Sequence, residues 1–473
     1  MLHSANETFL TILQHHLPNA LFGAVPPAYL QEPRGKWQGL GGILARPETV
    51  EQVSTLVRLC HEHRVGVIPY GGGTGLVSGQ IIENGAAPVI LSLERMNEIR
   101  AVYPDENVIV VEAGAILADI QAAAETVDRL FPLSLASEGS ARIGGNLATN
   151  AGGVNVLRYG NTRDLCLGLE VVLPNGDIWN GLTRLRKDNT GYDLRNLMIG
   201  SEGTLGVITA AALKLSPRPS DVATAMLCVP SPDAALSLLS MARSHVAEGV
   251  STFELIGEMG LRFLSEAIPD LRQPFQTRPE WCVLMELGLG GSANAQASLE
   301  AIFTDALEQG VVYDGVIAQS ETQRNDLWGV RERIPEANRL IGSISSHDIS
   351  LPLSIIPEFI ATAPGHVQKL GEFRINCFGH LGDGNLHYNV FPPKGESKSA
   401  YVDMVEPVQE CIHDLVVSLN GSFSAEHGVG RLKVGDLERY GDPVKLSMMR
   451  AIKSAFDPNG IMNPGAVLRE NMQ

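Results

Sequence analysis

Residues 69–80 read PYGGGTGLVSGQ, a glycine-rich loop that directly follows the apolar strand VGVIPY. Because glycine lacks a Cβ, backbone N–H groups in such a loop can converge on one point, which is how a nest binds a diphosphate. The loop opens no long helix in the G-x-G-x-x-G pattern, and no Gly-Lys-Ser/Thr follows it, so it matches neither common nucleotide fingerprint. Taken alone, it is also compatible with a surface turn. The residues assigned to a cofactor here are Pro69, Gly71, Gly72, Gly73, Thr74 and Gly75.

Two more loops of small residues follow, RIGGNLATNAGG at 142–153 and IGSEGTLGVIT at 199–209. Small and amide side chains suit close contact with a flat ring and its polar edge. Three such loops in one domain predict a large, bent cofactor rather than three ordinary turns. The residues assigned to it in these two loops are Gly144, Gly145, Asn146, Thr149, Gly152, Gly153, Glu202, Gly203, Gly206 and Ile208.

The strand and helix patterns divide the chain at the proline-rich linker SPRPSD, residues 216–221. Short strands alternate with helices before it, and LGLEVVLPNGDIW (167–179) predicts a hairpin. After it, short and closely spaced strands predict an αβ sandwich, to which EFRINCFGHLGDGNLHYNVFP (372–392) adds a second hairpin. We therefore predict an α+β chain with domains at 1–217 and 218–420, and a C-terminal helical segment, 421–473, that returns to the first domain.

Composition and charge exclude several classes of function. The 473 residues carry a formal net charge of −17 without a basic run, so nucleic acid and anionic membranes are poor partners. The six cysteines form no C-x-x-C pair, which argues against an iron–sulfur centre or a disulfide framework. No stretch approaches the roughly 18 apolar residues of a membrane span, and the N-terminus has no signal-peptide pattern, so we expect a cytoplasmic protein.

A second group of polar residues lies in GHLGDGNLHYN and SAEHGVG. His380 ends one predicted strand and His387 begins the next, so the two imidazoles can face each other across the hairpin, while Glu426 and His427 follow downstream. Two histidines and one carboxylate suit Zn²⁺, and also Mn²⁺, Fe²⁺ or Co²⁺. Glu426 and His427 are adjacent, so in an extended segment their side chains point to opposite sides.

The order PYGGGTGL, SEGSARIGGNLATNAGGVNVLRYGNTRDLCLGLEVVLPNGDIW, LIGSEGTLGVIT resembles the FAD-binding domain of the vanillyl-alcohol oxidase type, also called the PCMH type. Within it, the chain is similar over nearly its whole length to the FAD-linked D-2-hydroxy acid dehydrogenases. The resemblance implies a PCMH-type FAD domain, an αβ substrate (cap) domain and non-covalent FAD, since Tyr70 and glycines stand where covalent members often have a histidine. It implies that Gly71–Gly75 bind the pyrophosphate, and that the rest of the flavin site includes Pro132, Gly145, Thr149, Gly152, Ile208 and Asn463.

The same resemblance implies roles for the polar residues. The metal ligands would be His380, His387 and Glu426, with zinc as the first choice of metal, and His427 would be the base. Of Arg331 and Arg333, which lie two residues apart in LWGVRERIPEANR, it selects Arg331 to bind the substrate carboxylate, which leaves Arg333 a surface role. Independently of the resemblance, Asn389 lies two residues beyond His387 and shares its strand face, which suits a hydrogen bond to the substrate; a structural role as an amide at the hairpin edge is equally compatible with the sequence.

The implied activity is oxidation of a D-2-hydroxy acid to the 2-oxo acid, with hydride passing to flavin N5 and then electrons to an external acceptor, such as an electron-transfer flavoprotein or a quinone. Three alternatives stay open: an oxidase that uses O₂ directly, a non-haem iron oxygenase, and a metal-stabilised binding protein. The substrate also stays open among D-2-hydroxyglutarate, D-lactate and D-malate, because Ser346 stands where bacterial 2-hydroxyglutarate members often have a lysine before His347 and Asp348, two residues that are equally compatible with structural roles. A homodimer is compatible with the sequence, which does not decide the assembly.

Overall fold

A computed structural model describes residues 1–35 and 37–469. Its strands are β1 (Leu21–Gly23), β2 (Ile43–Arg46), β3 (Val67–Tyr70), β4 (Val89–Ser92), β5 (Ile99–Tyr103), β6 (Val108–Glu112), β7 (Arg129–Leu130), β8 (Cys166–Val172), β9 (Ile178–Gly181), β10 (Val207–Lys214), β11 (Ser216–Pro217), β12 (Asp221–Val229), β13 (Val250–Gly257), β14 (Trp281–Leu289), β15 (Asp314–Ile317), β16 (Ser345–Ser350), β17 (Arg374–His380) and β18 (Asn385–Phe391).

The α-helices are α1 (Glu7–His16), α2 (Val50–His63), α3 (Leu117–Glu125), α4 (Ile143–Thr149), α5 (Val156–Tyr159), α6 (Leu194–Met198), α7 (Pro232–Val246), α8 (Glu258–Ala267), α9 (Ala295–Glu308), α10 (Glu321–Glu332), α11 (Ile334–Ile341), α12 (Ile356–Val367), α13 (Val405–Ser418), α14 (Val434–Tyr440) and α15 (Pro443–Phe456). No helix in the described part of the chain is long and apolar enough to cross a membrane.

The chain forms two units, whose bounds differ from the predicted domains in two places. The first unit contains residues 1–152, 160–217 and 426–473, and the second contains 153–159 and 218–425. The short segment 153–159 belongs to the second unit because it carries α5, whose Arg158 donates to the Gly288 carbonyl at 2.5 Å. The later change of unit falls after Ala425 rather than after residue 420, because Ser422 pairs with Ser350 on β16.

The first unit contains a four-stranded sheet of order β1-β2-β4-β3 and a five-stranded antiparallel sheet of order β5-β6-β10-β8-β9. In the smaller sheet β2, β4 and β3 run parallel, and β3 ends at Tyr70, where the quoted glycine loop begins. The predicted hairpin in 167–179 is confirmed as the antiparallel pair β8–β9. The C-terminal segment runs beside β3, since Asn463 donates its N–H to the Val67 carbonyl at 2.8 Å.

The second unit is built on a seven-stranded antiparallel sheet of order β15-β12-β14-β13-β17-β18-β16. Side chains alternate between the two faces of a strand, so Ala225 and Leu227 of β12 enter one core with helices α7, α9, α12 and α13, while Met226 enters another with α8, α10 and α11. The predicted αβ sandwich is therefore confirmed, with helices on both faces. The hairpin of 372–392 supplies β17 and β18, also as predicted.

Candidate functional site

A cavity in the first unit brings the three small-residue loops together. Its lining includes predicted residues from all three loops, together with His427 of SAEHGVG and Asn463 near the C-terminus. The predicted residues that line it are Pro69, Gly71, Gly72, Gly73, Thr74, Gly75, Gly144, Gly145, Asn146, Thr149, Glu202, Gly203, Gly206, Ile208, His427 and Asn463. Sequence reasoning missed further lining residues, among them Val77, Gln80, Leu93 and Arg142. Of these, Gln80 ends the quoted motif and donates to the Gly75 carbonyl at 2.8 Å, which holds the loop closed.

Three residues assigned to the flavin are not among those that line this cavity: Pro132, Gly152 and Gly153. Helix α4, which carries the lining residues of this loop, ends at Thr149 with Asn150 in a left-handed conformation, so Gly152 lies beyond the helix. Gly153 already belongs to the second unit. Their role in cofactor binding stays a prediction.

The glycines of the first loop are required by close backbone packing. A Cβ on Gly72 would lie 2.1 Å from the Ser140 carbonyl oxygen, and one on Gly71 would lie 3.2 Å from the Cα of Gly145. The two loops can therefore meet only without side chains, which leaves backbone along the cavity wall. The cavity also contains the buried Oδ1 of Asn146, which has no hydrogen-bond partner among the residues that the structure describes. Bare backbone and an unpartnered amide fit a bound cofactor with polar edges.

Glu202 places His427 at this cavity. Its carboxylate accepts hydrogen bonds from the backbone N–H groups of Val429 at 2.8 Å and Gly430 at 2.7 Å, two and three residues beyond His427. Burial raises the pKa of Glu202, and the two N–H donors partly offset that rise. The buried side chain of Glu202 thus fixes the backbone of the segment that carries His427.

Arg431, the residue after Gly430, fixes the same end of this segment through its own side chain. Its guanidinium donates to the carbonyl of Gly79 at 2.9 Å and to Oδ1 of Asn463 at 2.7 Å. Asn463 in turn donates to the Glu202 carbonyl at 2.7 Å. Sequence reasoning missed Arg431, because Gly79 lies 352 residues before it and Asn463 lies 32 residues after it, so no local pattern links the three residues.

We expect Gly430→Ala to lower both stability and flavin content. Gly430 has a φ of +52°, and its Cβ would lie 2.0 Å from the Val77 carbonyl oxygen, so the segment carrying His427 must move. The matched control is Gly460→Ala, which has a φ of +66° but no atom within 4 Å of the new Cβ. The control should lose only the roughly 1–2 kcal/mol of a left-handed residue. Thermal unfolding and flavin per chain compare the two, and equal values would contradict this packing argument.

The second unit collects a different polar group on one face of its sheet. In the antiparallel register Glu254 lies opposite His380, and His387 lies between Phe378 and Asp348. Directly opposite residues point to the same face, so these side chains lie together. The rings of His380 and His387 are 5.4 Å apart between centroids, as the predicted hairpin requires.

Glu254 is the residue of this face that the sequence did not reveal. It is fully buried, its Oε1 lies 2.5 Å from Nδ1 of His380, and its Oε2 lies 2.6 Å from Nε of Arg331. Burial acts to raise the pKa of Glu254, but the charges and hydrogen bonds of His380 and Arg331 outweigh it and hold that pKa at about 2. The carboxylate is therefore ionised at neutral pH.

Arg331 and Arg333 separate as predicted. Arg331 lies in the last turn of α10, is 6% exposed, and places its guanidinium 4.8 Å above the Phe378 ring. Arg333 caps the helix and forms an exposed ion pair with Glu336 at 3.1 Å. Only Arg331 is directed to the face that carries the histidines.

Asn389 and Ser346 form a pair one pleat along from His387 and Asp348 on the same face. His347 points the other way, to the opposite core, where its Nδ1 lies 3.3 Å from Nε2 of His413. The position of His347 favours the structural alternative for that residue. Asp348 accepts a hydrogen bond from the side chain of Asn385 at 2.9 Å.

The chain passes from the second unit to the first beside these residues. The N–H of Ala425 donates to the Asp348 carbonyl at 3.2 Å, so the backbone that leads into Glu426 is fixed to β16. Glu426 is the next residue, and it begins the last segment of the first unit.

Comparisons with known proteins find two domain families in the chain, and the second match begins where the second unit resumes, at residue 218. Residues 42–181 match the model of the FAD binding domain, and residues 218–467 match the C-terminal domain of FAD linked oxidases. The chain is 36% identical to the mitochondrial D-2-hydroxyglutarate dehydrogenase of Bos taurus, covering 98% of this chain and 84% of the relative. It is 37% identical to the D-2-hydroxyglutarate dehydrogenase of Stutzerimonas stutzeri (strain A1501), covering 89% of each.

Solved structures share the fold. A p-cresol methylhydroxylase with substrate bound aligns with a TM-score of 0.71 at 17% identity, covering 98% of each chain. An alkyldihydroxyacetonephosphate synthase aligns with a TM-score of 0.67 at 19% identity, covering 91% of this chain and 77% of that one. The first of these confirms the PCMH-type fold that the family resemblance implied.

Proposed function

This chain belongs to the family of FAD-linked oxidases that includes the D-2-hydroxyglutarate dehydrogenases, and we propose that it oxidises a D-2-hydroxy acid to the 2-oxo acid with FAD and a divalent metal ion. The observation that carries the proposal is that His427 lines the same glycine-walled cavity as the three FAD loops. A titratable imidazole there is suited to proton transfer next to a flavin.

The residues that would hold FAD are those of the cavity. Backbone N–H groups of Gly71–Gly75 would bind the pyrophosphate, and Asn146 offers a buried amide oxygen to a polar edge of the cofactor. Tyr70 stands beside the loop in place of an attaching histidine, so we propose that FAD is held without a covalent bond. When bound, the flavin accepts the hydride at N5.

His380, His387 and Glu426 would hold the metal ion. The donor set fits, because a carboxylate holds Nδ1 of His380 and thereby leaves Nε2 as the coordinating nitrogen, an arrangement common at metal sites. Zinc is our first choice for two imidazoles and one carboxylate. Such an ion lowers the pKa of a bound hydroxyl by Lewis-acid action.

Three side chains of the protein would bind the substrate and accept its proton. Arg331 binds the C1 carboxylate of the substrate through its guanidinium, and Asn389 donates a hydrogen bond from its amide. His427 takes the proton of the 2-hydroxyl on an imidazole nitrogen as the C2 hydrogen leaves. The burial of Arg331 and Asn389, each 6% exposed, would keep water from competing for these contacts.

We propose D-2-hydroxyglutarate as the first substrate to test, because the relatives from Bos taurus and Stutzerimonas stutzeri carry that name. D-Lactate and D-malate are the alternatives, since Ser346 brings no cation to the face beside Asn389. An external acceptor, an electron-transfer flavoprotein or a quinone, is proposed to reoxidise the flavin. A cytoplasmic location and a homodimer remain predictions.

A dye-linked assay tests the proposed function. Purified protein is given D- and L-2-hydroxyglutarate, lactate and malate with an artificial dye acceptor, before and after chelation. We expect turnover with at least one D acid, no turnover with its L form, and loss of activity on chelation that Zn²⁺, Mn²⁺ or Co²⁺ restores. Equal turnover of the D and L forms, or turnover that chelation does not lower, would contradict the proposal. Reoxidation of the reduced flavin by air in under about a second would favour the oxidase alternative.

A further inference from the structure

We propose that Glu254 is a positioning residue that sets, through one carboxylate, both the metal-binding nitrogen of His380 and the orientation of Arg331. The inference rests on the proposed function, because it assigns a cause to the geometry of that site. Glu254 is not among the residues that line the flavin cavity, and it lies in the middle of an ordinary strand, β13.

Both carboxylate oxygens of Glu254 are occupied by hydrogen bonds. One carboxylate oxygen lies 2.5 Å from Nδ1 of His380 and the other 2.6 Å from Nε of Arg331, while the side chain is fully buried. A carboxylate only accepts hydrogen bonds and a guanidinium only donates them. His380 must therefore carry a proton on Nδ1, and in its neutral form Nε2 keeps the lone pair that a metal ion requires.

Replacing the carboxylate by an amide reverses which ring nitrogen of His380 carries the proton. In Glu254→Gln, the amide oxygen must face Arg331, because the guanidinium has no acceptor to offer the NH₂ group. The NH₂ group then faces Nδ1 of His380 and requires an acceptor there. His380 satisfies it by moving its proton to Nε2, which blocks the nitrogen that would bind the metal.

The same sheet contains a matched control. Glu286 on β14 is 8% exposed, and it too pairs with an arginine of α10, Arg324, at 2.8 Å. Its other partners are the indole N–H of Trp328 at 2.8 Å and the hydroxyl of Thr224 at 2.8 Å. None of these partners is a histidine, so Glu286→Gln removes a buried charge from the sheet without altering a metal ligand.

The experiment measures the Zn²⁺ affinity of the full-length holoenzyme by competition with a chromophoric chelator, and records the visible spectrum of the Co²⁺ form. We expect Glu254→Gln to lower Zn²⁺ affinity by roughly 10- to 100-fold, as loss of a carboxylate behind a metal-binding histidine does. It should also change the Co²⁺ spectrum and raise KM for the hydroxy acid. Glu286→Gln should leave Zn²⁺ affinity within about twofold of the wild type, whatever its effect on thermal unfolding.

A second variant keeps the test decisive if Glu254→Gln does not fold. Glu254→Asp retains the buried charge but is one methylene shorter, so it cannot reach both partners, and we expect weaker Zn²⁺ binding than in Glu286→Asp. Wild-type Zn²⁺ affinity in a folded Glu254 variant would overturn the inference alone. A wild-type protein that binds no divalent metal would instead overturn the metal part of the proposed function.

Discussion

Replacing His427 by asparagine should lower kcat by roughly 10²- to 10⁴-fold, the usual contribution of a positioned general base. The physical reason is that asparagine keeps a polar group at the cavity but cannot accept the hydroxyl proton. The flavin should stay bound, since the loops that line the cavity are unchanged and Glu202 still holds Val429 and Gly430. Stopped-flow reduction of the bound flavin measures the loss directly.

The control for this variant is His366→Asn, which changes an exposed histidine of α12 in the same way. It should keep wild-type flavin reduction and thermal stability. If His427→Asn retained its flavin and reduced it at close to the wild-type rate, His427 would not be the base.

Replacing His387 by alanine should abolish tight metal binding and lower kcat/KM by at least about 10²-fold. Lewis-acid stabilisation by a metal ion is worth several kcal/mol, and each 1.4 kcal/mol or so corresponds to a factor of ten in rate. His387 belongs to the second unit and the flavin cavity to the first, so flavin content should not change. Metal per chain and steady-state kinetics test both statements.

His245→Ala is the matched control for the metal ligand. His245 lies on α7 in the same unit and also faces a carboxylate, with its Nε2 2.9 Å from Oδ2 of Asp305. This variant should keep its metal and its activity. A His387→Ala protein that retained both would remove His387 from the ligand set.

The flavin loops could be predicted from the sequence because their signal is local. Gly71, Gly72 and Gly145 are glycines since backbone meets backbone there, and a run of glycines after a strand is visible without knowing the fold. The hairpin histidines were equally visible, because His380 and His387 flank a short turn. Resemblance to a known family then supplied roles that spacing alone left open.

Other residues could not be predicted, because their partners are distant in sequence. Glu254 lies in the plain strand STFELI, and its link to His380, 126 residues later, exists only because β17 pairs with β13. Arg431 likewise binds a carbonyl 352 residues earlier. The transfer of residues 153–159 to the second unit had no local signal either, since it depends on contacts of α5 with β13.

Anaerobic titration of the purified protein tests the central claim most directly. The flavin absorbance bands are followed as a D-2-hydroxy acid is added, first D-2-hydroxyglutarate and then D-lactate and D-malate, with each L form in parallel. We predict that one D acid bleaches the flavin with a stoichiometry of one acid per flavin and yields the 2-oxo acid, and that chelated protein does not bleach. A protein without flavin bands, or a metal-loaded flavoprotein that no D-2-hydroxy acid reduces, would contradict the account.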